Sequence, residues 1–125
     1  MGQDRLNHFQ ISRHFNLREF QCPCCHTVKL HPDLVELLEK IRKKIKKPII
    51  ISSGYRCPSH NEAVGGAKHS YHLKGMAADI IALGLSPIEL GKVAIETGAP
   101  TVLVYQNRGF VHVDIREKGL GLKEA

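Results

Sequence analysis

The chain of 125 residues has no tryptophan, and aromatic residues make up only 6% of it. A platform of rings for stacking bases is therefore poorly supported. No apolar run approaches the roughly 18 residues that a membrane span needs. The start, Met1-Gly2-Gln3-Asp4-Arg5, leads into no apolar signal-peptide region. There is no internal repeat, low-complexity tract or linker. With 42% hydrophobic and 24% charged residues, the composition excludes a disordered chain, a collagen-like chain and a coiled coil. The length fits one domain spanning 1–125, because two would each fall near the size where a core becomes marginal. Stretches 1–14 and 117–125 are expected to be loose ends.

What the chain does have is positive charge, histidine and a few clustered cysteines. The net charge is +6, from 18 Lys and Arg against 12 Asp and Glu. Much of the excess sits in Arg42-Lys43-Lys44-Ile45-Lys46-Lys47, at the end of a predicted helix. Cations there complement the helix dipole. A solvated helix end is the plain reading, ahead of a nucleic-acid patch or attraction to a polyanionic surface. Nucleic acid is not expected as a partner, nor is membrane insertion, and the chain is expected to be a monomer. Eight histidines is a high number, and His is the commonest metal ligand.

Periodicity places the elements. Asn16 and Glu19 form a capping box around a helical turn at 17–20. Pro32 opens a helix to about Lys46, with Leu34, Leu37, Leu38, Ile41 and Ile45 on one stripe. Ile49-Ile50-Ile51 reads as a buried strand, and a short helix covers about Ser59 to Val64. Met76 to Ala82 is a second strand. Ser86, Pro87 and Glu89 start a helix that runs to about Thr97. Thr101 to Gln106 and Phe110 to Arg116 are strands joined by a hairpin at Asn107-Arg108-Gly109. On the last strand Val111, Val113 and Ile115 point one way, and Phe110, His112, Asp114 and Arg116 the other. The expected class is α+β, a small mostly antiparallel sheet with helices packed on one face.

The polar residues on these elements suggest a site. His72 lies seven residues before Asp79, across a glycine turn into a strand of small residues. Small Ala77 leaves room beside the carboxylate, and His112 could supply a third ligand. Two His and one carboxylate with an open fourth position is the ligand set of a catalytic zinc site. An ion held in this way acidifies water and polarises a carbonyl. The plainer alternative has Asp79 capping a turn and His72 on the surface.

Ser70, His72, Gly75, Ala77 and Asp79 match the pattern S-x-H-x-x-G-x-A-x-D. That pattern resembles the signature of the zinc D,D-peptidases of bacterial cell walls. Those include D-alanyl-D-alanine carboxypeptidases, dipeptidases and phage endolysin peptidases, of Hedgehog-like fold. Ser52-Ser53-Gly54-Tyr55-Arg56 and Phe110-Val111-His112-Val113-Asp114 resemble its flanking segments, in the right order. The resemblance covers roughly Phe15 to Arg116. It implies that His72, Asp79 and His112 bind one catalytic zinc, and that Arg56 contacts the substrate carboxylate or the developing oxyanion. It implies hydrolysis of peptide bonds involving D-amino acids in peptidoglycan stem peptides or cross-links, by a carboxypeptidase or an endopeptidase. With no leader seen, such an enzyme is expected in the cytoplasm or at the wall by a phage-type route.

The chain departs from better-known members before the last zinc His, where they carry an acid and Gln106 to Val111 carries none. Asp114 is the nearest candidate base. It lies about 6–7 Å along the strand from His112 on the same face. Its competing role is to orient an imidazole N–H. His69 is a weaker proton-transfer candidate. The missing acid leaves open a second reading, a catalytically weak wall-binding or regulatory module of the same fold.

Cys22-Pro23-Cys24-Cys25-His26 contains a C-x-x-C, and Cys57-Pro58-Ser59-His60 a C-x-x-H. Cys22, Cys25, Cys57 and His60 could form a second, structural zinc site. One disulfide, or free thiols, are the open alternatives.

Overall fold

The computed structural model describes residues 7–125. Helix α1, Pro32–Ile45, follows an N-cap at His31, whose Nδ1 accepts the Asp33 N–H at 3.0 Å. Leu34, Leu37, Leu38 and Ile41 are buried and Ile45 packs against them, so the stripe faces the core as predicted. Each such side chain contributes about 1.5–3 kcal/mol on burial. Lys46, in the left-handed region at φ 57°, ends the helix ahead of Pro48. Helix α2 covers Pro58–Ala63 and α3 covers Pro87–Glu96, the latter with the full Ser86/Glu89 capping box. Single 3-10 turns occupy Leu17–Phe20 and Tyr71–Lys74, and the first carries the Asn16/Glu19 box.

Five strands follow the sequence order β1 Ile49–Ser53, β2 Ala77–Ala82, β3 Thr101–Tyr105, β4 Phe110–Asp114 and β5 Gly121–Glu124. In the sheet they lie in the order β1-β2-β4-β3-β5, antiparallel except for the β3–β5 pair. The class is α+β, and α3 packs against β2, β3, β4 and β5. Ala78, Ile80, Val102, Val104, Val111 and Val113 join Phe15, Phe20 and the α1 stripe in one core.

The ends differ from expectation. Residues 1–6 of the stretch 1–14 lie outside the described residues. Residues 7–14 are tied down: Asn7 is buried against Gln21 and His26, and Glu39 accepts from Ser12 and His14. The C-terminal stretch is not loose either, because β5 adds to β3 in parallel. Gly119 makes this possible, since a Cβ there would lie 2.1 Å from the Pro100 carbonyl oxygen. A parallel partner cannot follow through a tight hairpin. The apolar alternation that marks an inner strand is also missing from Gly-Leu-Lys-Glu.

Candidate active site

Strand register builds most of the site. On the β2–β4 pair Asp79 lies opposite His112, and Ala77 opposite Asp114. At β1 a register shift between Ile51 and Ser53 brings Ser53 beside Asp79, as bulges near functional sites commonly do. The Tyr71–Lys74 turn delivers His72. Ser70 Oγ accepts the His72 N–H at 3.2 Å, and Gly75 ends the turn at φ 70°. Only glycine fits there, because a Cβ would sit 2.4 Å from the Lys29 carbonyl oxygen.

The predicted trio converges. His72 Nε2 and His112 Nδ1 each lie 3.1 Å from Asp79 Oδ1, and 3.2 Å from each other. All three residues are buried. Donors around a tetrahedral ion with bonds of 2.0–2.1 Å stand roughly 3.3–3.4 Å apart. The three atoms therefore form one face of such a polyhedron, and the donor set suits zinc.

Each ligand is held from behind. His72 Nδ1 lies 2.7 Å from the Gly54 carbonyl oxygen, so it donates and leaves Nε2 as the free lone pair. Arg56 donates from Nη2 to Asp79 Oδ2 at 3.2 Å. It also reaches Ser53 Oγ at 3.2 Å and Asn61 Oδ1 at 3.3 Å. His112 Nε2 lies 2.7 Å from Asp114 Oδ2, and Arg116 grips the same carboxylate through Nε at 2.8 Å and Nη2 at 2.6 Å. Burial would raise the pKa of Asp114, but hydrogen bonds from Arg116 and His112 reverse this and hold it far below the usual range. Asp79 is likewise held low, with burial outweighed by hydrogen bonds to His112 and His72. Burial opposes charge on His112, yet the bonds to Asp114 and Asp79 raise its pKa.

The site floors a cleft of about 700 Å³, whose lining includes Ser53, Arg56, His60, Lys68, His69, Tyr71, Tyr105, Arg108, Phe110 and Arg116. Tyr105 and Phe110 stack with ring centroids 4.5 Å apart, and Arg108 lies over both. Arg116 lies over the Tyr71 ring at 4.5 Å. Among the described residues Asp79 is the only carboxylate on the lining. Asp114, the sequence candidate for the base, is not among them: it is fully buried on the far side of the His112 ring. His69 is exposed on the cleft wall. Arg116 and Asn61 did not emerge from the sequence as site residues. Arg116 carried a usable signal, since the sequence alternation puts it on the same side as Asp114 two residues away, although the strand itself ends at Asp114. Asn61 carried none.

The sulfur cluster also differs from expectation. Cys22, Cys24, Cys25 and Cys57 place their sulfurs within 4.8 Å of one another, and His60 is not in the group. His60 turns to the cleft, while Cys24 takes the place expected for it. None of the four is in a disulfide. Burial would raise the Cys22 pKa, but hydrogen bonds from Cys57 and Cys24 bring it down to about 6, whereas bonds to Cys57 and Cys22 push Cys24 up to about 12.

The family profile described as Peptidase M15 matches residues 10–114. The chain belongs to the M15 peptidase family. It is 30% identical over 117 residues to the peptidoglycan L,D-endopeptidase MepK of Escherichia coli K12. The figures for the Shigella flexneri protein of the same name are equal. The alignments cover 88% of this chain and 59% of those relatives, so the chain spans about three fifths of their length. Zinc dependence is a property of the family, and His72, Asp79 and His112 are the group fitted to hold the ion. The relatives are named for L,D bonds, so membership does not by itself carry D,D specificity, carboxypeptidase action or an endolysin role.

Proposed function

We propose that the chain is a zinc peptidase that hydrolyses peptide bonds in peptidoglycan stem peptides or their cross-links. The observation that carries this reading is the set of three buried donor atoms within 3.2 Å of one another, opening on a cleft. Zinc, when bound, supplies an acidified water with pKa near about 7 and a Lewis acid for the scissile carbonyl. The chain's own residues do the rest. Gly54 and Asp114 fix the two imidazoles, and Arg56 fixes the carboxylate. Three of the five Arg56 N–H donors are used by Asp79, Ser53 and Asn61, which leaves two for a substrate carboxylate or a developing oxyanion. Asp114 acts as the carboxylate that orients His112, in preference to the base. Proton transfer then falls to an imidazole on the cleft wall, His60 or His69.

Cations outnumber carboxylates on the lining, with Arg56, Lys68, Arg108 and Arg116 against Asp79. Such a wall suits stem peptides, which carry free carboxylates. The signature favours a D,D bond and the MepK relatives an L,D bond. Cross-linked muropeptides of both kinds, incubated with zinc-loaded protein and followed by mass, decide between them. Cleavage that disappears with chelator and with His112→Ala supports the peptidase. A second reading, a wall-binding module of weak activity, is favoured by the lack, among the described residues, of any carboxylate but Asp79 on the lining. Tight muropeptide binding without products from either substrate would establish that reading instead.

A further inference from the structure

The cysteines are not among the residues that line the cleft, and the hydrolysis does not use them. Cys22, Cys24 and Cys25 sit in the loop after the first 3-10 turn, and Cys57 caps α2 more than thirty residues on. We propose that Cys22, Cys24, Cys25 and Cys57 hold a second, structural zinc ion as a tetrathiolate site, distinct from the His72–Asp79–His112 site and independent of the hydrolase reading.

The spacing of the sulfurs is the main support. Cys24 Sγ lies 3.5 Å from Cys22 Sγ and 3.3 Å from Cys57 Sγ, and all four fall within 4.8 Å of one another. A disulfide needs about 2.05 Å. Four sulfurs around zinc at 2.3 Å stand roughly 3.8 Å apart. The observed separations sit near the second value and far from the first.

The backbone is shaped for sulfur ligands. The Cys57 N–H points at Cys22 Sγ at 3.5 Å, and the His60 N–H at Cys57 Sγ at 3.4 Å. N–H donors on sulfur stabilise thiolates, the form that binds metal. Backbone hydrogen bonds close the loop. Cys22 N–H bonds the Thr27 carbonyl at 2.8 Å, and His26 N–H bonds the Cys22 carbonyl at 2.7 Å. His26 takes the left-handed conformation at φ 61° to make this turn, and Asn7 donates to its carbonyl. Two ligands, Cys24 and Cys25, are exposed, so an ion can enter. Binding releases the thiol protons to water, and four thiolates with Zn²⁺ carry a net charge of −2.

The consequence reaches the active site. Cys57 follows Arg56 directly, and α2, which it caps, carries the Asn61 that anchors Arg56. A metal here ties the N-terminal loop to the rim of the cleft.

The test is metal content by native mass spectrometry on the whole chain, purified with reducing agent and zinc. Two zinc ions per chain are expected, with one left in His72→Ala. A mercurial should release that remaining ion. A Cys24→Ser/Cys57→Ser variant should keep only the ion held by the histidines. Because that variant can fail to fold, cobalt substitution of His72→Ala gives a second readout, a sulfur-to-cobalt charge-transfer band in the near ultraviolet. A single zinc per chain that vanishes in His72→Ala would overturn the proposal. So would a chain mass lower by two or four hydrogens, which marks disulfides, or cobalt bound without the thiolate band.

Discussion

Replacing Asp114 by asparagine separates an orienting carboxylate from a base. The native carboxylate accepts four bonds: His112 Nε2 and Arg116 Nη2 on Oδ2, and the Arg116 N–H and Nε on Oδ1. Asparagine offers one oxygen and one NH2. If the oxygen serves His112, the amide nitrogen faces two Arg116 donors. If the group flips, it faces His112 and Nη2. Either way two donors meet a donor. Arg116 is partly exposed and finds water, but Asp114 is not exposed at all. The expected loss of stability is about 2–4 kcal/mol. The imidazole also loses the partner that sets its tautomer, so zinc affinity should fall about 10–100-fold, or roughly 1.4–2.7 kcal/mol. Competition against a fluorescent chelator measures the affinity, and urea unfolding the stability. At saturating zinc, turnover should recover much of its value. If zinc affinity stayed at the wild-type level while turnover vanished at every zinc concentration, Asp114 would be the base and not the orienting carboxylate.

Other perturbations test the frame. Gly75→Ala forces a positive φ on alanine and a Cβ into the Lys29 carbonyl, so it should cost more than about 2 kcal/mol and weaken zinc binding through His72. Wild-type affinity in a folded variant would contradict this. Leu38→Ala empties a fully buried position on α1; unfolding should register about 2–5 kcal/mol, and a value under 1 would mean that the core collapses around the gap. Glu39 is held below its ordinary 4.5, since bonds from Ser12 and His14 outweigh burial. Its contribution is therefore present above about pH 4.5 and lost as pH falls through the lower folded value. Glu39→Gln should cost about 1–2 kcal/mol at pH 7, with the gap to wild type narrowing as acid protonates the carboxylate; a gap that stays equal as pH falls would remove Glu39 from the acid response.

That His72, Asp79 and His112 share one site was legible in the sequence from the matched signature and from alternation, although their meeting is itself a matter of β2–β4 register. Alternation on β4 puts His112 and Asp114 on one face, and a glycine turn carries the chain from His72 to Asp79. Periodicity likewise exposed α1 and its stripe, and capping residues fixed two helical starts. What stayed hidden depends on long-range register. Strand order β1-β2-β4-β3-β5, the Gly54 carbonyl behind His72 and the Asn61 anchor of Arg56 involve partners distant in sequence. A C-x-x-H spacing pointed to His60 as a ligand, but His60 faces the cleft and Cys24, one residue inside the first pair, joins the sulfurs. The role of Asp114 turned on a ring orientation. Had His112 offered Nε2 inward, the same aspartate would have faced another atom.

Charge balance explains why a buried polar cluster of this kind is tolerable and useful. Asp79 and Asp114 are both buried and ionised, and isolated buried charges are costly. Each is paired with one guanidinium, Arg56 for Asp79 and Arg116 for Asp114. With both imidazoles neutral the cluster sums to zero. A divalent ion on His72, Asp79 and His112 then leaves the floor of the cleft at +2, below walls that carry further cations. Metal uptake and protonation compete for one lone pair of His112. The two arginines thus do more than hold carboxylates in register. They cancel the negative charge that would otherwise offset the ion, so the field at the floor of the cleft stays positive.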